Sequence, residues 1–316
     1  MEIAGLASYL VFFLTLAGIY GILTLGLNMQ WGFSGQFNIG VAGFFAVGAY
    51  TSALLTSAAA PAHVGGFGLP FLLGVVGAVL ISAAVAVLIG LVTMRLRTDY
   101  LAIATIGIAE IIRLVLKNED WLTNGVRGIA GIPRPLAALG LTSAISVLVV
   151  VAAFVVLTYF LVERARVSPW GRVLRAIREN EAAAAASGKD VARFRLEAFV
   201  VGSAIMGLGG ALYAHFIGFI SPEAFRPLYG TFLIWVMLIA GGSGNNKGAL
   251  LGTLIIWALW SGTEVLTSVL PPDLVTQAAA VRVLLIGLLL QVILVVRPEG
   301  LLPEARARAA GGKGRG

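Results

Sequence analysis

The sequence contains no cysteine, which removes disulfides, thiolate nucleophiles and cysteine metal sites from consideration. Histidine is nearly as scarce, and His63 and His215 are too few for a histidine-rich metal centre. Charge is short too: Asp, Glu, Lys and Arg make up 12% of the 316 residues, against about a quarter in soluble domains. Hydrocarbon takes their place, with 59% of residues hydrophobic and a mean hydropathy of +0.96. No soluble packing scheme hides that much apolar surface, so the composition fits a bilayer. At about 20 residues per spanning helix, the chain has room for roughly eight to ten helices and little else.

Nine apolar runs mark candidate spans in an all-α polytopic membrane protein: 6–28, 36–60, 68–94, 100–116, 138–162, 196–220, 228–239, 248–270 and 278–296. The short run at 228 and the glycine-rich run at 36 are open to a re-entrant or broken form. Met1-Glu2-Ile3-Ala4 has no basic residue before the first run, so no cleavable secretory signal is expected. With nine spans and the N-terminus outside, sixteen of the 22 Lys and Arg residues fall on the cytoplasmic side. That asymmetry favours an N-out, C-in orientation. It also accounts for the net charge of +7 without nucleic acid as a partner. The glycine- and proline-containing segment 118–137 is expected to be an ordered loop without regular structure. Residues 1–303 form one transmembrane domain in this reading. A basic tail over 304–316 is expected to be disordered near the anionic inner leaflet.

Gly74, Ala78, Ser82, Ala86 and Gly90 recur every four residues, as do Ser203, Gly207 and Ala211. Such spacing forms a groove that lets another helix backbone approach closely. Tight packing is the simpler reading; a face that slides during transport is the functional one.

The one long cytoplasmic segment between spans, residues 163–195, carries eight basic residues. From Gly171 to Ile177, Val173, Leu174 and Ile177 lie on one helical side, with Arg172, Arg175 and Arg178 largely on the other. Glu181–Ala186 is a strong helix former and Gly188 supplies a stop. The expected product is a short helix, a turn and a second short helix on the membrane surface, a lever that another protein can push. The plain alternative is a solvated loop whose arginines only fix topology.

The run from Glu181 through Ala182 and Ala183 to Gly188 resembles the coupling loop of ATP-binding-cassette importer permeases, which docks into a groove on the ATPase. Its glycine falls one residue later than in the general importer motif. That placement resembles the branched-chain amino acid permease family, in the LivM branch of the LivH/LivM pair. Other segments resemble the same family in order: Gly26-Leu27-Asn28, Gly35-Gln36, Gly43–Tyr50, Arg97–Ile103, Gly107–Arg113, Gly209–Ala214, Gly241–Gly244 and Arg297–Leu301. Val41 stands where many relatives have histidine, so no polar role carries over there. The resemblance implies the larger, vitamin B12-type permease fold in a bacterial inner membrane. It also implies a LivH-like second permease, two ATPases and an extracytoplasmic solute-binding protein. The coupling surface then comprises Gly171, Arg172, Arg175, Arg178, Glu179, Glu181, Ala182, Ala183 and Gly188.

A phosphate-binding loop needs Gly-x-x-x-x-Gly-Lys followed by Ser or Thr, and neither the 241–248 nor the 311–314 glycine-rich stretch has that spacing. The chain is therefore expected to hold no cofactor, with ATP and Mg²⁺ bound by partner ATPases, and to be no enzyme itself. No clustered catalytic or metal-ligand set stands out. Glu110 and Arg113 share a helix face; they line a solute pathway or tie helices together. Asn28, Gln36 and Asn38, with Gln30, surround Gly32 and Gly35 and suit either an unwound backbone or solute. Glu264, Arg282 and Gln291 admit structural or pathway roles, His215 reads as a packing residue, and Trp121, Trp235, Trp257 and Trp260 as anchors or packing. The resemblance points to branched-chain or similar amino acids, leaving urea, short amides or sugars as alternatives in the same class. An ion-coupled secondary transporter is the rival from another class.

Overall fold

Each of the nine apolar runs carries a helix in the computed structural model, which describes residues 2–59, 63–93, 98–136, 143–267 and 272–304. Helix α1 (Glu2–Asn28) ends in a π-helical turn, Met29–Phe33, followed by α2 (Val41–Thr56), α3 (Phe71–Thr93), α4 (Thr98–Asn118) and the single turn α5 (Asp120–Thr123). Then come β1 (Ile129–Ala130), α6 (Ala144–Val167), α7 (Pro169–Glu179), α8 (Glu181–Ala186), α9 (Val191–Ile217) and β2 (Phe219–Ile220). A 3₁₀ turn at Pro222–Phe225 and a π turn at Leu228–Phe232 lead into α10 (Leu233–Gly241), α11 (Asn246–Thr267) and α12 (Pro272–Val296). Among the described residues, four segments are long and apolar enough to cross a membrane: Gly5–Phe33, Phe71–Thr93, Ala144–Val167 and Val191–Ile217. Arg95, Arg97 and the tail 305–316 lie outside the described residues, as does the Glu264 side chain.

Helix α9 is the hub, packed most extensively on α2, α3 and α1. The expected groove is real: Gly74, Ala78, Ser82, Ala86 and Gly90 are all buried on one face of α3. Leu72, Leu80, Leu88 and Leu91 are exposed, as suits a lipid-facing side. Glycine permits the tightest crossings. A Cβ on Gly207 would run into Ser82 and come within 3.0 Å of the Ala78 carbonyl, while one on Gly48 would run into the Gly207 backbone. Without hydrophobic drive between helices in lipid, such close backbone approach supplies the attraction.

Two of the nine runs are broken. Helix occupies only Val41–Thr56 of the run at 36, and the run at 228 divides into a π turn and the nine-residue α10. The cause is visible at 34–40, where glycines and amides replace apolar side chains and the chain leaves the helix. Segment 118–137 departs from expectation in the other direction. Its β1 pairs antiparallel with β2, Ile129 opposite Ile220, anchoring that loop to the end of α9.

Candidate functional site

Short local signals build the 163–195 element. Ser168 caps α7 by accepting from Gly171 N, with Pro169 at the first turn, and Asn180 caps α8 by accepting from Ala183 N. Gly188 adopts φ +78°, a left-handed stop that glycine takes without a Cβ penalty. Gly171 is buried because α7 turns directly off α6: a Cβ there would lie 2.6 Å from the Arg166 carbonyl oxygen. Leu174 is fully buried in a cluster with Met29 and Phe33 of the α1 π turn, Val162 of α6 and Ala198 of α9. The apolar face of α7 is therefore seated on the break in α1. Outward, Arg172, Glu179, Glu181, Ala182 and Ala183 are exposed. Glu181 reaches Arg195 of α9 at 3.2 Å.

Arg175 and Arg178 do not simply point away from the apolar side, as periodicity suggested; both are half-buried. Arg178 donates to the Gly32 carbonyl and to Glu304 at 2.6 Å, and Arg175 lies 3.8 Å from Glu304. Glu304, expected at the start of a disordered tail, is held in place because the preceding residues bond back onto the bundle. Leu301 N and Leu302 N donate to the carbonyls of Ala240 and Gly241.

Beside this junction lies a second set of polar contacts. Asn28 accepts from Gly244 N at 2.8 Å and donates to Asn246 at 2.9 Å. Asn246 in turn donates to Glu163, which pairs with Arg166. Alongside it, Gln30 donates to the Phe199 carbonyl and to Ser203, and accepts from Asn38 at 2.7 Å. Asn38 also accepts from Gly40 N, and its carbonyl takes the Trp235 indole N–H. Gln36 donates to Ser34 and to the Arg195 carbonyl. Asn38 serves the unwound backbone at 35–40 through Gly40 N, while Asn28, Gln30 and Gln36 bond chiefly to α9 and to the turn before α11, partners that polar groups need where a bilayer offers no water.

Glu110 and Arg113 form a separate cluster. Arg113 grips Glu110 through two N–H donors at 2.9 and 2.5 Å and lies 3.6 Å from Glu223, which also meets Lys117 at 3.9 Å and Arg226. His215 is buried between Ser52 at 2.8 Å and the Pro133 carbonyl at 2.6 Å, a packing role.

The family profile described as "Branched-chain amino acid transport system / permease component" matches residues 9–294. The chain belongs to this permease family. The permease is 34% identical over 316 residues to the high-affinity branched-chain amino acid transport system permease protein LivM of Salmonella typhimurium, covering 92% of this chain and 69% of that protein. The probable LivM of Methanocaldococcus jannaschii is 29% identical over 320 residues, covering 91% of each chain. The LivH permease of Escherichia coli is more distant, at 27% over 286 residues and 86% of this chain. No solved structure matches the permease.

Sequence reasoning missed three members of the permease's polar contacts: Glu163, Asn246 and Glu304. Glu163 and Asn246 were hidden by their place at span ends, where polar residues are ordinary. For Glu304 the signal was its position three residues after the Arg297–Leu301 segment.

Proposed function

We propose that this chain is the LivM-type permease subunit of an ATP-binding-cassette importer, forming the translocation pathway for branched-chain or closely related amino acids by alternating access. The family match across residues 9–294 carries the reading. In this reading the chain lies N-out and C-in in a bacterial inner membrane, with a vitamin B12-type fold. A LivH-like permease, two ATPases that hold ATP and Mg²⁺, and an extracytoplasmic binding protein complete the assembly. The LivM and LivH relatives support the permease pair.

The exposed alanines of α8 and the charged outer edge of α7 suit docking into an ATPase groove. Closure of the ATPases would move α7, and α7 is tied through Leu174 and Arg178 to the π turn of α1. Motion at the cytoplasmic surface thereby reaches the broken helix where the buried amides cluster. Glu110 and Arg113, paired with one another, serve to hold α4 to the Pro222–Phe225 turn rather than to carry a coupling ion.

Purification of the protein from membranes with its bound partners tests the reading. The expected result is recovery of an ATPase pair, a second permease and a binding protein whose affinity for leucine or valine exceeds that for urea. A chain recovered alone, with gradient-driven uptake abolished by Glu110→Gln, would replace the importer with a secondary transporter.

A further inference from the structure

Helices α6 and α11 both pack extensively on α1 and only sparsely on each other. The gap left between them is a groove of about 570 Å³, a volume in the range of small-molecule sites. Val156 and Phe160 of α6 form one wall, and Leu251 and Leu254 of α11 the other. Val156, Phe160 and Leu254 are exposed, and α6 is one of the segments long and apolar enough to cross a membrane. These walls therefore meet hydrocarbon, and none of the four side chains has a polar group to satisfy.

One end of the groove is different. Lys247, in the first turn of α11, lines it there. Asn246 donates to Glu163 at 2.8 Å, so the last turns of α6 meet the start of α11 at this point. Lys247 follows Asn246 in the chain and Arg164 follows Glu163, and both cations are exposed. Arg164 also stands one turn beyond Phe160, on the same face of α6. Among the described residues neither cation forms an ion pair. Lys247 acts on Glu163 only through its longer-range field, because that carboxylate is held by Arg166 and Asn246.

An apolar groove with two cations at one end matches an amphipathic occupant with a hydrocarbon tail and an anionic head. Basic pockets between transmembrane helices gather anionic headgroups in this way. Residues 305–316 of the chain itself are basic and have the wrong sign for that end. An apolar helix of another subunit would cover the walls and leave the cations unanswered.

We propose that the groove between α6 and α11 binds an anionic phospholipid. One acyl chain lies along Val156, Phe160, Leu251 and Leu254, and the phosphate meets Lys247 and Arg164. Beside the Glu163–Asn246 contact, the lipid supplies packing that the two helices leave unmade. The site goes beyond the importer reading and does not depend on which solute is carried.

A benzophenone amino acid placed at Phe160 reads the occupant directly. The protein, purified with the partners it holds, is put in nanodiscs of equal phosphatidylglycerol and phosphatidylcholine with identical chains. It is then illuminated, and the adducts are identified by mass spectrometry. Phosphatidylglycerol adducts are expected to exceed phosphatidylcholine adducts about fivefold or more, as one basic residue beside an anionic lipid implies. Lys247→Gln should lower that ratio about fivefold, Lys247→Arg should keep it, and Arg164→Gln added to Lys247→Gln should bring it near one. Equal adducts with both cations in place would overturn the proposal, whether or not the variants fold. So would a ratio undiminished by Lys247→Gln, or adducts to a protein segment in place of lipid, which would assign the groove to another subunit.

Discussion

Arg178 is the residue on which α7, the π turn of α1 and the segment ending at Glu304 converge. One guanidinium joins α7 to the carbonyl at the π turn of α1 and to Glu304 in the C-terminal strap. A hydrogen bond to a charged group contributes about 1.5–3 kcal/mol, so Arg178→Gln is expected to lower coupled uptake by roughly tenfold or more. Capture of the ATPases should persist, because the exposed docking side chains are untouched. Uptake and ATP hydrolysis in proteoliposomes measure the two separately, and Glu304→Gln added to Arg178→Gln should cost little more if they form one link. At the crossing of α3, α9 and α2, Gly207→Val should destabilise the fold. Overpacking costs about 1–3 kcal/mol, and the neighbours include backbone that cannot swing aside. Thermal melting in detergent reads this, and an unchanged midpoint would show that the crossing tolerates a larger residue.

Helix α7 was legible as an amphipathic element because its apolar positions repeat at helical spacing. What it rests on was not, since Met29, Val162 and Ala198 come from three different helices. Leu174→Ala removes the centre of that seat and should cost about 2–5 kcal/mol locally. The expected outcome is loss of uptake with weakened ATPase capture, read by co-purification. Helix α8 is a different case. Six residues are too few for a helix to stand alone, so its form depends on the Asn180 cap and on Ala184 buried beneath it. Asn180→Ala should remove about 0.5–2 kcal/mol and reduce ATPase capture while leaving the transmembrane fold intact by melting temperature. Normal capture by this variant would shift the docking role to α7. The broken run at 36 shows the limit of reading elements from hydropathy. Apolar composition marked a span, but the amides at 36 and 38 bond backbone rather than lipid-facing neighbours, and the helix starts only at Val41.

For the molecule as a whole, a chain without cysteine offers a clean test of orientation. Val126→Cys, in the segment that packs on the end of α9, should react with an impermeant maleimide applied from outside intact cells. Lys189→Cys, beside the coupling helices, should react only after the membrane is opened. Labelling of both from one side would discard the N-out, C-in arrangement. The Ile129–Ile220 pairing and helices α7 and α8 stand at opposite ends of α9, with Arg178, Glu304, Asn28 and Glu163 gathered at the α7 end.

Composition and order along the chain were enough to establish a multi-pass helical membrane protein and its family, and to place two short helices between α6 and α9. These depend on local facts: how much hydrocarbon each run carries, where helix caps and stops stand, and which segments follow one another. The small-residue stripe of α3 was equally readable, because a face repeating every four residues needs no knowledge of its partner. Pairings between distant residues were decided only by the tertiary structure. Arg178 with Glu304, Asn28 with Asn246, and Arg282 over Trp260 join residues that share no periodicity in sequence. In a medium without water, a polar group must find its partner wherever the fold brings one, and only the packing of helices around α9 determines which partners those are.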